Sequence, residues 1–277
     1  MSAELGCVLV TGGTGSIGRC IVEALCAAGR SVRVVARPRK EKPFAGLGNL
    51  LEVVETSDVF SESGDWWKQV YRGVGTVVHV AWVTDPERQH MSSLDNVDCL
   101  AGTLQMGQWA IESGVRRFVG IGTFREYDAC YGAFYSTETP LQPVTLYDSA
   151  KISAFYVLRD LFGMSETEFA WCRIFSLCGE DARHCLAARI SSRIAMGEPM
   201  ELTEGVSDFW EVSDAGRRIA EVALGSEQGA VNICSGVPKM VRSLAEDIAD
   251  GYGRRDLLRF YPQRRDSSMP LVVVGSR

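Results

Sequence analysis

Short apolar runs alternate with amphipathic segments along the first two thirds of the chain. The run at Cys7–Val10 ends in glycines, and from Ile17 onwards apolar residues recur at helical spacing until Gly29. The same alternation predicts further strands at Val32–Val35, Val53–Val54, Val77–Val80, Phe118–Ile121 and Phe169–Ile174, and helices at Leu94–Ser113 and Tyr147–Leu161. Short apolar strands separated by helices are typical of a parallel sheet covered on both faces. We therefore expect an α/β fold built on a doubly wound parallel Rossmann sheet.

The alternation of apolar runs and amphipathic segments becomes less regular after Phe175. Helical spacing returns at Ala187–Met196 and Ser243–Tyr252, and strand-like runs return at Ala230–Cys234 and Leu271–Val274. We interpret residues 176–277 as mostly a small C-terminal substrate-binding lobe over the carboxyl edge of the sheet, with strands returning to the main sheet. Residues 1–175 are then the cofactor-binding Rossmann domain.

Net charge, apolar runs and the spacing of cysteines and histidines argue against several classes of protein. The chain has 277 residues and a formal net charge of -6, so a basic nucleic-acid-binding face is not expected. No apolar run reaches the roughly 18 residues of a membrane span, and no signal-peptide pattern opens the chain, which predicts a cytoplasmic protein. Nine cysteines without a C-x-x-C pair, and three histidines without an i,i+4 ligand partner, predict free thiols and no metal site.

A glycine-rich turn follows the first strand and opens the first helix. Glycines let a backbone turn tightly and approach a pyrophosphate, whose oxygens the free N–H groups of the new helix can bind. Because the turn begins a series of βα units, it predicts a dinucleotide site rather than an ordinary loop. The expected contacts are Gly12, Thr14, Gly15, Ser16, Ile17 and Gly18.

The end of the second strand indicates which dinucleotide binds. NAD-binding proteins usually place a carboxylate there for the ribose hydroxyls, whereas this chain has the basic segment Ala36–Lys40. A guanidinium suits a 2′-phosphate, so Arg37 favours NADP over NAD, and a solvated basic loop is the alternative interpretation. Asp58 and Ala81 are expected beside the adenine half of the cofactor.

Tyr147 and Lys151 stand four residues apart in a predicted helix, so their side chains share one face. A neighbouring ammonium favours the phenolate, which makes a tyrosine a usable acid or base near neutral pH. Thr123 follows the strand Phe118–Ile121 and is expected at the same sheet edge, with its hydroxyl on the substrate oxygen. We expect Thr123, Tyr147 and Lys151 to be catalytic, although a Y-x-x-x-K spacing alone is common on surface helices.

Together these motifs resemble the extended short-chain dehydrogenases/reductases, the NAD(P)-dependent epimerase/dehydratase family. The matching stretches are Thr11–Gly18, His79–Ala81, Gly120–Tyr127, Tyr147–Lys151, Arg173–Phe175, Asp208–Phe209, Val212–Asp214, Val231–Ile233 and Ser235–Gly236. The region Gly120–Asp128 is most similar to nucleotide-sugar 4-ketoreductases of the CDP-abequose and paratose synthase type. The resemblance implies an NAD(P)-dependent oxidoreductase, a nucleotide-sugar substrate, and a homodimer formed through the helices at Leu94–Ser113 and Tyr147–Leu161.

Several positions depart from the patterns of that family. Its sugar 4,6-dehydratases carry Asp-Glu directly after the catalytic threonine, where this chain has Phe124 and Arg125. Its GDP-fucose-forming epimerase-reductases carry a cysteine at the position of Arg125. Both reactions are therefore disfavoured, because a phenyl ring exchanges no proton and the cysteine is missing.

The diphosphate-binding positions also differ. The family's arginine is Ser207 here, and its usual asparagine and tyrosine are Ser176 and Cys178. We expect Ser176, Arg183 and Arg189 to contact the substrate, and Arg183, Arg189 and Arg193 are the candidates for supplying the missing charge. Each arginine could equally belong to a solvated helix face, and the substrate need not be a nucleotide sugar.

The favoured interpretation is NADPH-dependent reduction of a keto group on a nucleotide-linked 4-keto-6-deoxy sugar. Such a reduction needs one hydride and one proton, for which the three predicted catalytic residues suffice. Two alternatives stay open. One is a nucleotide-sugar epimerase with a tightly bound cofactor and the same three side chains, and the other is a non-catalytic NADP-binding regulator.

Overall fold

The computed structural model describes residues 6–38, 44, 47–84, 90–179, 182, 185–262 and 271–276. Its strands are β1 (Cys7–Thr11), β2 (Val32–Ala36), β3 (Leu51–Glu55), β4 (Val74–His79), β5 (Arg117–Thr123), β6 (Ala133–Phe134), β7 (Glu168–Ile174), β8 (Ser176–Cys178), β9 (Met200–Thr203), β10 (Val206–Glu211), β11 (Gly229–Ile233), β12 (Pro238–Met240), β13 (Leu258–Tyr261) and β14 (Val272–Gly275). Its α-helices are α1 (Ser16–Ala27), α2 (Gly64–Val70), α3 (Asp95–Glu112), α4 (Leu146–Gly163), α5 (Leu186–Ala195), α6 (Val212–Leu224) and α7 (Val241–Tyr252).

Seven parallel strands form the main sheet, in the order β11-β7-β5-β4-β1-β2-β3. The chain starts at β1 in the interior of the sheet, adds β2 and β3 on one side, and then adds β4 and later strands on the other. The winding direction reverses between β1 and β4, and ligands of doubly wound sheets bind outside the carboxyl ends of the strands at such a reversal.

Helices cover both faces of the main sheet. The helices α1 and α6 pack on one face, where a Cβ added at Gly216 would lie 2.5 Å from the Cβ of Cys20. The helices α2, α3 and α4 pack on the other face around Trp67, Phe118 and Trp171, all fully buried. Burial from both sides explains why the strands are apolar at successive positions, and every residue of β5 is buried.

The small lobe has two parts. The strands β12, β10, β14 and β6 form a mixed sheet, in which β8 also pairs with β10. The strands β9 and β13 pair in parallel, and their side chains form a separate core with those of α5 and α7. Asp208 links the lobe to the end of β11, because its carboxylate accepts hydrogen bonds from the backbone N–H groups of Ser235 at 2.7 Å and Gly236 at 2.8 Å.

The structure confirms the predicted doubly wound sheet with a small C-terminal lobe. Each predicted strand and helix is present close to its expected bounds, and Val53–Val54 belongs to the longer β3. The helices α2 and α6 were not predicted, although α6 buries Val212, Ala215 and Ile219 at helical spacing. The domain boundary at residue 175 stays a prediction, since β6 joins the lobe sheet and β11 joins the main sheet. Among the described residues, no helix is both long and apolar enough to cross a membrane.

Candidate active site

A cleft of about 1930 Å³ runs along the carboxyl edge of the main sheet. Its cofactor wall consists of the ends of β1, β2, β4 and β5, and its lobe wall consists of residues from β8, α5, β9 and β10. The predicted site residues that line it are Gly12, Thr14, Gly15, Ser16, Ile17, Arg37, Asp58, Ala81, Thr123, Tyr147, Lys151, Ser176 and Arg189. Gly18 is buried behind the glycine turn, and Arg183 lies outside the described residues.

The glycine turn has a shape that requires glycine at two positions. Gly12 adopts a φ of 67°, and a Cβ there would lie 2.7 Å from the backbone nitrogen of Ala81. A Cβ on Gly18 would lie 2.2 Å from the carbonyl oxygen of Gly12, so Gly18 lets α1 pack closely against the turn. Gly15 is the N-cap of α1, and the helix start has neither a side-chain cap nor an acidic residue in its first turn. The positive end of α1 is therefore open to an anion in the cleft.

His79 supports this turn through hydrogen bonds of its ring. Because the ring is neutral, it takes no part in acid–base chemistry. Its ring nitrogens lie 2.8 Å from Oγ1 of Thr11 and 2.9 Å from Oγ1 of Thr103. Burial, with a smaller effect of the Lys151 charge, lowers the pKa of His79 to about 3, so the ring is neutral. Oγ1 of Thr11 also accepts a hydrogen bond from the backbone N–H of Ala81 at 3.3 Å, which joins the ends of β1 and β4.

Arg37 and Asp58 lie at the far end of the cofactor wall. Arg37 is exposed and directly follows β2, where it takes the position of the carboxylate found in many NAD sites. The carboxylate of Asp58 accepts hydrogen bonds from the backbone N–H of Phe60 at 3.0 Å and from the hydroxyl of Ser61, so it stabilises its own turn. The remaining residues of the basic segment, 39 and 40, lie outside the described residues.

Thr123, Tyr147 and Lys151 meet where β5 ends and α4 begins. The Thr123 side chain lies near enough to the Tyr147 hydroxyl to have a small lowering effect on its pKa. Nζ of Lys151 donates to the carbonyl oxygen of Ile121 at 2.8 Å and lies 6.0 Å from the centre of the Tyr147 ring. All three residues are buried against the sheet and still line the cleft, so the predicted set is brought together at one point.

The surroundings of these residues set their protonation. Burial raises the pKa of Tyr147 above its ordinary value, and the charges of Glu126 and Asp148 raise it further against smaller opposing effects of Arg125 and Thr123. Burial lowers the pKa of Lys151 to about 7, against the attraction of Glu126. Tyr147 is therefore a neutral phenol near neutral pH, which can give a proton to an acceptor in the cleft.

A buried polar network supports the end of β5. Glu126 is fully buried and accepts hydrogen bonds from the backbone N–H of Thr123 at 2.9 Å, Nε1 of Trp171 at 3.0 Å and Nε of Arg173 at 2.7 Å. Arg173 in turn donates to the hydroxyl of Tyr127 at 3.2 Å. Because the Glu126–Arg173 ion pair is compensated on both sides, it can fix the backbone that carries the Thr123 hydroxyl.

A second ion pair ties α4 to the same turn. The guanidinium of Arg125 donates to both carboxylate oxygens of Asp148, at 2.9 and 3.2 Å. Asp148 is fully buried and also accepts the backbone N–H of Thr145 at 3.0 Å, which completes the capping box of α4. The Arg125 side chain is therefore held against α4 rather than offered to the cleft, and Tyr147 sits directly beside the pair.

The cleft surface next to Thr123 is apolar. The rings of Phe124 and Phe175 lie 5.7 Å apart at this point and both line the cleft. No acidic side chain follows Thr123 at the position where the family's dehydratases carry one. The arrangement suits a substrate that presents a methyl group or another apolar edge beside its reacting oxygen.

The lobe wall also carries polar groups. The hydroxyl oxygens of Ser176 and Ser207 lie 2.8 Å apart, so the position of the family's diphosphate-binding arginine is occupied by a hydroxyl pair. Arg189 is exposed on α5 and lines the cleft, and Glu201 and Glu204 line the same wall. Arg189 is thus the predicted substrate arginine that the structure brings to the cleft.

Sequence reasoning missed three residues around Tyr147. The rings of Trp82 and His90 meet the Tyr147 ring edge-on, with centroids 6.4 and 5.7 Å away. Both follow β4 in a stretch without strand or helix periodicity, so no pattern predicts their positions. Glu126 was noted only as part of a family motif, and its burial depends on Arg173, which is 47 residues away. In the described part of the chain, no group of three metal-ligating side chains is present.

The strand order, the glycine turn at the reversal point and the Thr-Tyr-Lys set place the protein among the extended short-chain dehydrogenases/reductases, which are NAD(P)-dependent enzymes. The comparison with known families is consistent with this class. The model of the "NAD dependent epimerase/dehydratase family" matches residues 8–234, and the chain belongs to this family.

Individual relatives cover almost the whole chain. The dTDP-6-deoxy-L-talose 4-dehydrogenase (NAD(+)) of Aggregatibacter actinomycetemcomitans is 25% identical over 280 residues, which span 98% of this chain and 99% of the relative. The structure of DesIV, a dTDP-glucose 4,6-dehydratase from Streptomyces venezuelae with NAD bound, superposes with a TM-score of 0.83 at 22% identity, covering 98% of this chain and 88% of that one. The UDP-glucose 4-epimerase of Thermotoga maritima, solved with UDP-glucose, gives a TM-score of 0.80 at 20% identity, covering 96% and 89%.

Proposed function

We propose that the protein reduces a keto group on a nucleotide-linked 4-keto-6-deoxy sugar with NADPH as the hydride donor. The observation that carries this proposal is the convergence of the buried Thr123, Tyr147 and Lys151 side chains in the same cleft as the glycine turn. The relative from Aggregatibacter is named for dehydrogenation at position 4 of a dTDP-6-deoxy sugar, which is the same redox step in the opposite direction.

The cofactor wall fits a dinucleotide. A Cβ at Gly12 would fill the space next to Ala81, and the start of α1 offers its N–H groups without a competing cap or acidic side chain. Gly15 and Ser16 would hold the pyrophosphate, and Lys151 lies where it can orient the nicotinamide ribose. The bound cofactor supplies a hydride to the carbonyl carbon.

The residues of the chain then handle one proton. Tyr147 is a neutral phenol, and its hydroxyl gives that proton to the carbonyl oxygen as the oxygen gains negative charge. The hydroxyl of Thr123 donates a second hydrogen bond to the same oxygen and keeps it in line with Tyr147. The ammonium of Lys151 stabilises the phenolate that remains.

Two features near Thr123 support a 6-deoxy sugar. Phe124 and Phe175 form an apolar surface beside Thr123 that suits the C6 methyl group. Arg125, which stands where dehydratases carry an acid, is bonded to Asp148 and offers no base for removal of water. In this proposal residues 176–277 bind the sugar and nucleotide, with Ser176 and Arg189 as contacts.

The choice of NADP rests on Arg37. Arg37 follows β2 on the cleft rim, where a 2′-phosphate would lie, and the described residues place no carboxylate directly after β2. The Aggregatibacter relative is named for NAD(+), so cofactor preference is a property to measure on this chain directly.

Turnover of a 4-keto-6-deoxy sugar nucleotide tests the proposal. We expect NADPH oxidation with a dTDP- or CDP-linked substrate, and about a 100- to 10,000-fold lower kcat in Tyr147→Phe with unchanged NADPH affinity. Tyr252→Phe is the matched control, because Tyr252 lies exposed on α7 and does not line the cleft. Full activity of Tyr147→Phe would end the assignment.

Interconversion of two sugars without net NADPH oxidation would instead identify an epimerase, and tight cofactor binding without turnover of any sugar would indicate a regulator.

We further propose a homodimer through α3 and α4. These helices pack against each other and leave Val97, Tyr156 and Val157 exposed on their outer surface. Light scattering of wild type should give twice the chain mass, and Val157→Glu should give the monomer. A monomeric wild type at micromolar concentration would refute the dimer.

A further inference from the structure

Trp82 occupies an unusual position beside the Thr-Tyr-Lys set. Its indole ring lies with its centre 3.6 Å from Nζ of Lys151, whereas the ring of Trp171 is 5.8 Å away. The hydrogen bond from Lys151 to the Ile121 carbonyl uses one of the three ammonium N–H groups. The indole face therefore covers one side of a buried ammonium whose hydrogen bond, among the described residues, goes to a backbone carbonyl.

The ring is held in this position by a buried amide. Nε1 of Trp82 donates to Oδ1 of Asn96 at 2.9 Å, and Asn96 is 1% exposed. The Nδ2 group of Asn96 donates to the carbonyl oxygens of His90 at 2.6 Å and Ser93 at 2.9 Å, which fixes the orientation of the amide. The indole therefore has an anchored edge, and its face is directed at Lys151.

The other groups around Lys151 provide little compensation for its charge. Glu126, from the turn after β5, attracts the ammonium but is already engaged in its own buried ion pair. Cys99, from α3, is a neutral thiol because burial raises its pKa to about 11, and His79, from β4, is neutral for the reason given above. Tyr147, on α4 itself, is a neutral phenol. A cation without a dedicated carboxylate gains most from a nearby aromatic face when it is shielded from water.

We propose that Trp82 is a positioning residue whose indole face stabilises the ammonium of Lys151 and holds it behind Tyr147. Burial alone moves Lys151 toward its neutral form near pH 7, and the π-electron density of the indole opposes that change. The consequence for turnover rests on the proposed function, whereas the effect on Lys151 itself does not.

The pKa of Lys151 in the cofactor-free protein tests the proposal directly. It can be followed by NMR of protein labelled with carbon-13 at the lysine Cε, with Lys151→Met used to assign the signal. We expect Trp82→Leu, which keeps an apolar side chain but removes the π face, to lower the pKa of Lys151 by about one unit. Trp82→Phe keeps a ring and should lower it by less than half as much. An unchanged pKa in Trp82→Leu would overturn the proposal.

A second series guards against altered folding. Site-specific replacement of Trp82 by mono- and difluorinated tryptophan keeps the shape and the N–H group while weakening the π face. The pKa of Lys151 should fall stepwise with fluorination, and a flat series would also overturn the proposal.

Activity gives a separate readout. In the reductase assay, the alkaline limb of the kcat/KM profile should move to lower pH by the same amount as the Lys151 pKa. A shift in the NMR titration without turnover of any sugar would uphold the role of Trp82 and refute the proposed function. A loss of activity in Trp82→Leu with an unchanged Lys151 pKa would show that the ring acts in another way, against this proposal.

Discussion

The two walls of the cleft are built by different means. The cofactor wall is formed mainly by backbone, namely a glycine turn, the start of a helix and the ends of parallel strands. Buried hydrogen-bond networks support this backbone. The lobe wall depends on side chains from four separate elements, and its polar groups include a serine pair, an exposed arginine and two glutamates. A wall made of backbone binds what any dinucleotide has in common, whereas a wall made of side chains selects one substrate.

The largest effect should come from breaking the support of the cofactor wall. Glu126→Gln removes the charge that faces the buried Arg173 guanidinium and should lower the free energy of unfolding by about 3–5 kcal/mol. Denaturant unfolding measures this change. Glu112→Gln is the matched control, because Glu112 forms an exposed ion pair with Lys68 at 3.1 Å that water screens, and this variant should leave stability nearly unchanged. If Glu126→Gln lowered the free energy of unfolding as little as Glu112→Gln, the buried network would not stabilise the cofactor wall.

The glycine turn should show two separable effects. Gly18→Ala places a Cβ 2.2 Å from the carbonyl oxygen of Gly12 and should lower the free energy of unfolding by about 1–3 kcal/mol. Gly15→Ala places its Cβ 3.4 Å from the same oxygen, an ordinary contact, and should fold normally but bind NADPH more weakly. Thermal melting with and without NADPH distinguishes the two variants. Normal NADPH affinity in Gly15→Ala would place the pyrophosphate elsewhere.

The same contrast explains how much of the molecule could be predicted from its sequence. The turn from Gly12 to Gly18 and the spacing of Tyr147 and Lys151 are local patterns, and each has a single geometric meaning in a βα repeat. The position of Thr123 follows from parallel strands ending at one edge. These local rules were sufficient to predict the seven strands of the main sheet and the helices α1, α3 and α4 that pack on it.

Long-range pairings were not predictable in this way. The burial of Glu126 depends on Arg173 and Trp171, and the indole of Trp82 reaches Lys151 only because Asn96 holds it. Such contacts join residues far apart in sequence, and single residues carry no signal of their partner. The helix α6 is a different case, because its buried apolar residues recur at helical spacing and the local pattern is enough to predict it.

A smaller effect tests cofactor selectivity on the cofactor wall. Arg37→Ser removes the guanidinium beside the expected 2′-phosphate and should weaken NADPH binding by about 10- to 100-fold, the usual value of a hydrogen bond to a charged group. Fluorescence titration measures the Kd. The affinity for NADH is the internal control and should not change. Equal weakening of both cofactors would show that Arg37 does not read the 2′-phosphate.

The smallest effect is expected on the lobe wall. Arg189 is exposed, so its contact with a substrate phosphate is screened by water and should be worth about 1 kcal/mol or less. Arg189→Gln should therefore raise KM for the sugar nucleotide by about two- to fivefold and leave kcat unchanged, because the proposed contact is to the phosphate and not to the reacting atoms. Arg193→Gln is the matched control, since Arg193 lies on the same helix and pairs with Glu198 outside the cleft. A fall in kcat with constant KM would place Arg189 at the reacting end of the substrate, and no change in either constant would leave diphosphate recognition to other groups of this wall.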